Sequence, residues 1–82
     1  MSQRIIEESE LASLAQNFRE NAGKTRTQAA RELGVAQPTL FQAEEEPKRS
    51  LNKLRKQIIE RYSEFEVVGP VFLLRRKSIS DK

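Results

Sequence analysis

The sequence predicts a mainly α-helical chain with a small C-terminal β element, an α+β arrangement. Three observations lead there. Apolar residues recur at helical spacing in separate runs between residues 9 and 62. Gly34, Pro38 and Pro47 punctuate those runs where helices start or stop. After residue 64 the composition turns to Val, Phe and Leu in "FEVVGPVFLLRRK", which favours strands.

The first helix is expected over residues 9–20, with Ser9 as its cap and Leu11, Leu14, Ala15 and Phe18 as one apolar stripe. "ENAGK" breaks that pattern. A second helix is expected over 25–33. Thr25 and Gln28 have the spacing of a capping box, Ala29, Ala30 and Leu33 form the inner side, and Gly34 closes the end with a left-handed residue. A third helix is expected over 37–45. Ala36 is a poor cap, but Pro38 suits a first turn because its missing N–H has no partner to lose there. Leu40 and Ala43 point inward. The fourth helix is expected over 50–62, opening at Ser50, with Leu51, Leu54, Ile58 and Tyr62 as its stripe.

The strand region covers 65–76. Gly69-Pro70 is either the turn of a hairpin or a kink within one edge strand, where a proline is tolerated. "QRII" near the N-terminus is a weaker strand candidate that could pair with it. Residues 77–82 read as a disordered tail.

At 82 residues the chain makes one small domain. A domain of that size buries only about 60% of its unfolded surface, so covering apolar area with a partner would help it. It contains no Cys and no His. Disulfides, thiolate or imidazole zinc sites and the usual general bases are therefore missing. Carboxylates remain, but nothing sets two of them apart in a pocket-like context. The expectation is a non-enzyme without metal or cofactor. No run reads as a signal peptide or a membrane span, and with no Cys a cytoplasmic location is the simplest reading.

Charge is segregated although the net value is only +3. Residues 1–23 carry two Arg against four Glu, whereas residues 48–61 carry Lys48, Arg49, Lys53, Arg55, Lys56 and Arg61 against Glu60 alone. Such a distribution fits a nucleic-acid footprint. It equally fits a solvated helix face and a solubilising tail, and charge alone does not separate the two.

The run "TQAARELGVAQPTLFQAEE" resembles the helix-turn-helix of the Cro-type and lambda-repressor-type DNA-binding family, which includes small phage- and plasmid-like repressors. Ala30, Gly34, Val35 and Leu40 carry the likeness, with Glu44 also matching. The likeness is firm over residues 25–44 and looser on either side. Each residue also has a physical reason to be there. A small Ala30 lets two helices cross closely, Gly34 permits a sharp corner, and Val35, Leu40 and Ala43 lock the helices to the core. A generic helical hairpin would want the same glycine corner. Two departures stand out: Arg26, where the family often has Gln, and the triple acid Glu44–Glu45–Glu46, where it commonly has one acid and a glycine turn. Beside DNA, Glu45 and Glu46 are expected to point away from phosphates or toward Lys48 and Arg49, as they would also do in a plain solvated loop.

The resemblance implies double-stranded DNA as partner, with the third helix in the major groove. Gln37, Thr39, Phe41 and Gln42 are its non-core positions and the candidate base readers. Gln can bond adenine in bidentate fashion, and Thr or Phe can touch a thymine methyl. Packing against the fourth helix or a neighbouring chain is the other use open to Phe41. Thr25, Arg26 and Gln28 at the start of the second helix, with Lys48 and Arg49 after the third, are the candidate phosphate contacts. In "VVGPVFLL" both faces of a strand would be apolar, so a homodimer through Phe65, Val67, Val68, Val71, Phe72, Leu73 and Leu74 is expected. The alternative is a strand that only closes the monomer's core. The leading expectation is a homodimeric transcriptional repressor of a palindromic operator, with no evident small-molecule effector. An antitoxin-type autoregulator holding a toxin partner, and a protein-interaction module without DNA, are the alternatives.

Overall fold

Residues 3–69 and 72–77 are described by the computed structural model. In chain order they form β1 (Gln3–Ile5), a 3-10 turn (Glu8–Glu10), α1 (Leu11–Asn21), α2 (Arg26–Leu33), α3 (Gln37–Glu45), α4 (Asn52–Tyr62), β2 (Phe65–Val68) and β3 (Leu73–Arg76). The architecture is thus mainly helical with a small antiparallel sheet.

Local chemistry sets most helix ends. Thr25 caps α2 through a reciprocal box: its Oγ1 accepts from the Gln28 N–H at 3.1 Å, and its own N–H donates to Gln28 Oε1 at 2.8 Å. Gly34 closes the same helix at φ 72°, in the left-handed region. There the Val35 N–H reaches back to the Ala30 carbonyl at 3.0 Å, so α2 turns sharply into α3. One expected cap and one expected helix start are corrected. Ser9 lies inside the 3-10 turn, and α1 starts behind Glu10 with no side-chain cap. Ser50 lies outside α4, which starts behind Leu51, again uncapped.

The three-stranded sheet has the order β1-β3-β2, with both pairings antiparallel. The C-terminal region is therefore a hairpin rather than one kinked strand, and "QRI" supplies its third strand. Val67 pairs with Leu74, and Val68 with Leu73. Because side chains alternate across a pleated strand, Val67 and Leu74 face the helices and are buried, while Ile5, Val68 and Leu73 form one row on the other side. Lys77, expected in the tail, extends the hairpin by donating its N–H to the Glu64 carbonyl at 2.7 Å. Pro70, Val71 and residues 78–82 lie outside the described residues.

One core joins the layers. Leu11 and Ala15 of α1, Ala29 and Ala30 of α2, Leu40 and Ala43 of α3, and Leu54, Ile58 and Ile59 of α4 meet Ile6, Val67 and Leu74. Phe18 of α1 stacks on Phe65 of β2 with ring centroids 5.8 Å apart, tying the sheet to the bundle. Among the described residues no helix is long and apolar enough to cross a membrane.

Candidate functional site

The glycine corner fixes how α3 stands on the molecule. Ala30 has almost no exposed surface, so α3 can lie close against α2. Leu40 and Ala43 are fully buried beneath α3, and Val35 packs on the same core. The opposite side of α3 then faces out. Gln37 and Phe41 are exposed, Phe41 at 45%, while Thr39 and Gln42 are half-buried. All four candidate base readers thus retain accessible surface. Gln42 is already engaged, however, since its Oε1 accepts from an Arg49 Nη at 2.9 Å.

The acidic end of α3 is occupied by a buried ion network. Arg19 donates through Nε and Nη2 to the two Glu44 oxygens at 2.6 and 2.9 Å, and through Nη1 to the Lys24 carbonyl at 2.7 Å. Arg26 donates through Nε to Glu44 at 2.8 Å and through Nη2 to Glu45. Hydrogen bonding to Glu44, partly offset by burial, raises the Arg26 pKa above its ordinary value. The Arg26 guanidinium also lies over the Phe41 ring, 4.9 Å from its centroid. Glu46 approaches Arg49 at 3.6 Å, as the sequence suggests, but Glu45 turns to Arg26 instead of Lys48 or Arg49.

Arg26 is therefore not an open phosphate clamp in the free chain. Thr25 and Gln28 are exposed but share the capping box. The box occupies the amide oxygen of Gln28 and one lone pair of Thr25, and leaves their O–H and NH₂ donors available. Lys48 and Arg49 are exposed. The structure brings Arg26 of α2 together with Gln37 and Phe41 of α3. Arg26, Gln37, Pro38 and Phe41 line a cleft of about 540 Å³ there.

Two arginines that sequence reasoning left among the surface charges lie inside. Arg19 is 5% exposed and Arg55 1%. Arg55 donates Nε to the Ala43 carbonyl at 2.8 Å and Nη2 to the Glu46 carbonyl at 2.8 Å, closing the C-terminal end of α3. Its Nη1 bonds the Arg49 carbonyl at 2.9 Å and Asn52 Oδ1 at 2.8 Å. Burial lowers its pKa from the ordinary arginine value. Register gives a signal for both. Arg19 stands one helical turn beyond Ala15, and Arg55 one turn before Ile59, on faces that are otherwise buried.

The expected dimer residues divide. Val67 and Leu74 belong to the monomer's own core, and Phe65 and Phe72 are packed partly against it. Val68 and Leu73 are half-buried on the outer side of the sheet, beside Ile5, which is 74% exposed. Next to that row Arg75 pairs with Glu66 at 3.0 Å.

A second polar cluster joins α2 to α4. Glu32 accepts from Lys24 at 2.8 Å and from the Tyr62 hydroxyl at 2.6 Å. These bonds, Lys24 first, hold its carboxyl down at a pKa of about 2. Burial and the Glu32 bond raise the Tyr62 phenol. Among the described residues no group of acidic side chains could hold a metal ion. No protein-family model matches this chain, and neither does any curated protein or solved structure with which it was compared.

Proposed function

We propose that the chain is a sequence-specific DNA-binding protein of helix-turn-helix type, acting in the cytoplasm as a homodimeric transcriptional repressor. The observation that carries this reading is the two-sidedness of α3. Its inner side is held by Leu40 and Ala43, while its outer side offers an amide, Gln37, and an aromatic ring, Phe41, with Thr39 and Gln42 at the margins. A helix of that kind fits the major groove, where an amide can pair with adenine N6 and N7. Thr25, Gln28 and Lys48 stand ready for phosphates, which fix orientation without reading sequence. The outer row Ile5, Leu73 and Val68 supports a second copy of the chain as partner, and a two-fold dimer would suit a palindromic operator.

Selection of bound sites from random duplexes tests the reading. A palindromic consensus is expected. Gln37→Ala should cost about 1–3 kcal/mol on that consensus and blur one position of it. Failure to shift any duplex at low salt, where even non-specific binding is favoured, would exclude DNA and leave a protein-interaction module.

A further inference from the structure

We infer that the cleft between Arg26, Gln37, Pro38 and Phe41 receives the 5-methyl group of a thymine, and that Glu45 is a positioning residue for this contact; the inference rests on the DNA-binding reading. The cleft has two apolar surfaces, the Phe41 and Pro38 rings, and the Gln37 amide beside them. Phe41 keeps 45% of its surface exposed although Arg26 covers part of its ring. The guanidinium above it is bonded to Glu44, whose side chain has no exposed surface, and to Glu45, which stays at the surface. A cation seated over an aromatic face is attracted to it, so the Glu45–Arg26 pair holds the ring at one angle.

Charge decides what the cleft admits. The guanidiniums of Arg19 and Arg26 are answered by the carboxylates of Glu44 and Glu45, with Glu20 a further 3.7 Å from Arg19, so the group carries no net positive charge. A site without excess positive charge has little to offer a phosphate. Against the Phe41 and Pro38 rings, as distinct from the Gln37 rim, the amino or carbonyl edge of a base would lose its water and gain no partner. On base-pair edges in the major groove, the thymine methyl is the one apolar group larger than a ring C–H. With Gln37 on the rim, the same helix end would read an adenine next to a methyl-bearing pyrimidine.

The test uses the full chain and the duplex obtained by site selection. Each thymine of one half-site is replaced singly by uracil, which removes only the methyl group. One position should lose about fourfold in affinity, the value of one buried methyl. Phe41→Ala should bring the thymine-to-uracil ratio at that position to one, whereas Phe41→Leu keeps part of it. Glu45→Gln should lower the ratio without lowering affinity for random duplex, an effect that general loosening of the fold would not produce. Equal binding of thymine and uracil duplexes at every position overturns the subsite while leaving DNA binding intact. So does a ratio that survives Phe41→Ala. A ratio unchanged in Glu45→Gln overturns the positioning role, and absence of binding to any duplex removes the subsite and the proposed function together.

Discussion

Replacing Glu44 by alanine should be among the most damaging single changes in this chain. The carboxylate has no exposed side-chain surface and takes three hydrogen bonds, from Arg19 at 2.6 and 2.9 Å and from Arg26 at 2.8 Å. Without it Arg26, which is only half-buried, can still reach Glu45 and water. Arg19 cannot. It would keep the Lys24 carbonyl at 2.7 Å and a Glu20 carboxylate 3.7 Å away, with a guanidinium that is almost wholly buried. Breaking a buried pair in this way costs about 3–5 kcal/mol, mostly because a charge is left unpaired in a poor solvent. Native domains hold roughly 0.05–0.15 kcal/mol per residue, so a chain of this length has about 4–12 kcal/mol in all. Glu44→Ala should therefore remove about a quarter or more of the stability. Urea unfolding followed by circular dichroism measures this, with an unchanged denaturant slope showing that the unfolding reaction is the same. The double variant Arg19→Met, Glu44→Leu separates the mechanism from simple loss of volume. Apolar side chains of similar size can replace a buried pair at little cost, so the double variant should recover most of what Glu44→Ala loses. A loss below about 1 kcal/mol for Glu44→Ala, or a double variant as weak as the single one, would refute the assignment of a buried, mutually dependent pair.

Gly34→Ala isolates backbone strain: a Cβ there would meet nothing within 4 Å, but φ is +72°, so the expected loss in thermal or urea unfolding is about 1–2 kcal/mol. Gly34→Asn should lose less, because Asn tolerates the left-handed region. Glu32 has a carboxyl pKa of about 2 in the folded chain against 4.5 as the reference value. Its contribution is therefore present above pH 4.5 and lost as the pH falls toward 2, and Glu32→Gln should flatten the melting temperature over that window. Leu73→Glu places a charge in the outer sheet row without touching the core. Sedimentation should show a monomer, and the melting temperature should cease to rise with protein concentration. A parent chain that is already monomeric at micromolar concentration would remove the sheet-mediated dimer.

Features written in neighbouring residues were legible, and features written across the chain were not. The Thr25–Gln28 box, the Gly34 closure and the stripe of Leu11, Leu14, Ala15 and Phe18 depend on contacts within one or two turns, so spacing reveals them. The Leu40 and Ala43 side of α3 follows from the same logic. Arg19 and Arg55 were hidden because an arginine is ordinarily solvated. What draws them inward is a carboxylate 25 positions away in one case and the backbone carbonyls at the end of α3 in the other. Ser9 and Ser50 fail for another reason. A serine is suited to a cap or to a helix start but compels neither, and here the backbone begins α1 and α4 behind Glu10 and Leu51 instead. In the hairpin, the continuous apolar run hid which residues face the helices. The register assigns Val67 and Leu74 to the core and Val68 and Leu73 to the outer row.

The triple acid illustrates how structure redistributes charge that a sequence merely counts. Successive helical positions are turned by about 100° from one another, so three adjacent glutamates at the end of α3 do not share an environment. Glu44 enters the interior and is held by Arg19 and Arg26, Glu45 stays at the surface and takes Arg26, and Glu46 leans on Arg49. The acids that would repel DNA are largely answered by the arginines expected to bind it. Of Arg26, Lys48 and Arg49, only Lys48 has no ion pair among the described residues. Each neutralised phosphate steepens the salt dependence of binding by about 0.9 in log–log slope. On the proposed DNA, this group of residues should then contribute a slope nearer one per half-site than three, unless Glu45 and Glu46 release their arginines on docking. In the proposed complex, contacts that hold one cation without an ion pair among Arg26, Lys48 and Arg49 leave discrimination to shape and to the amide and aromatic groups of α3, the side of the helix that its core leaves uncovered.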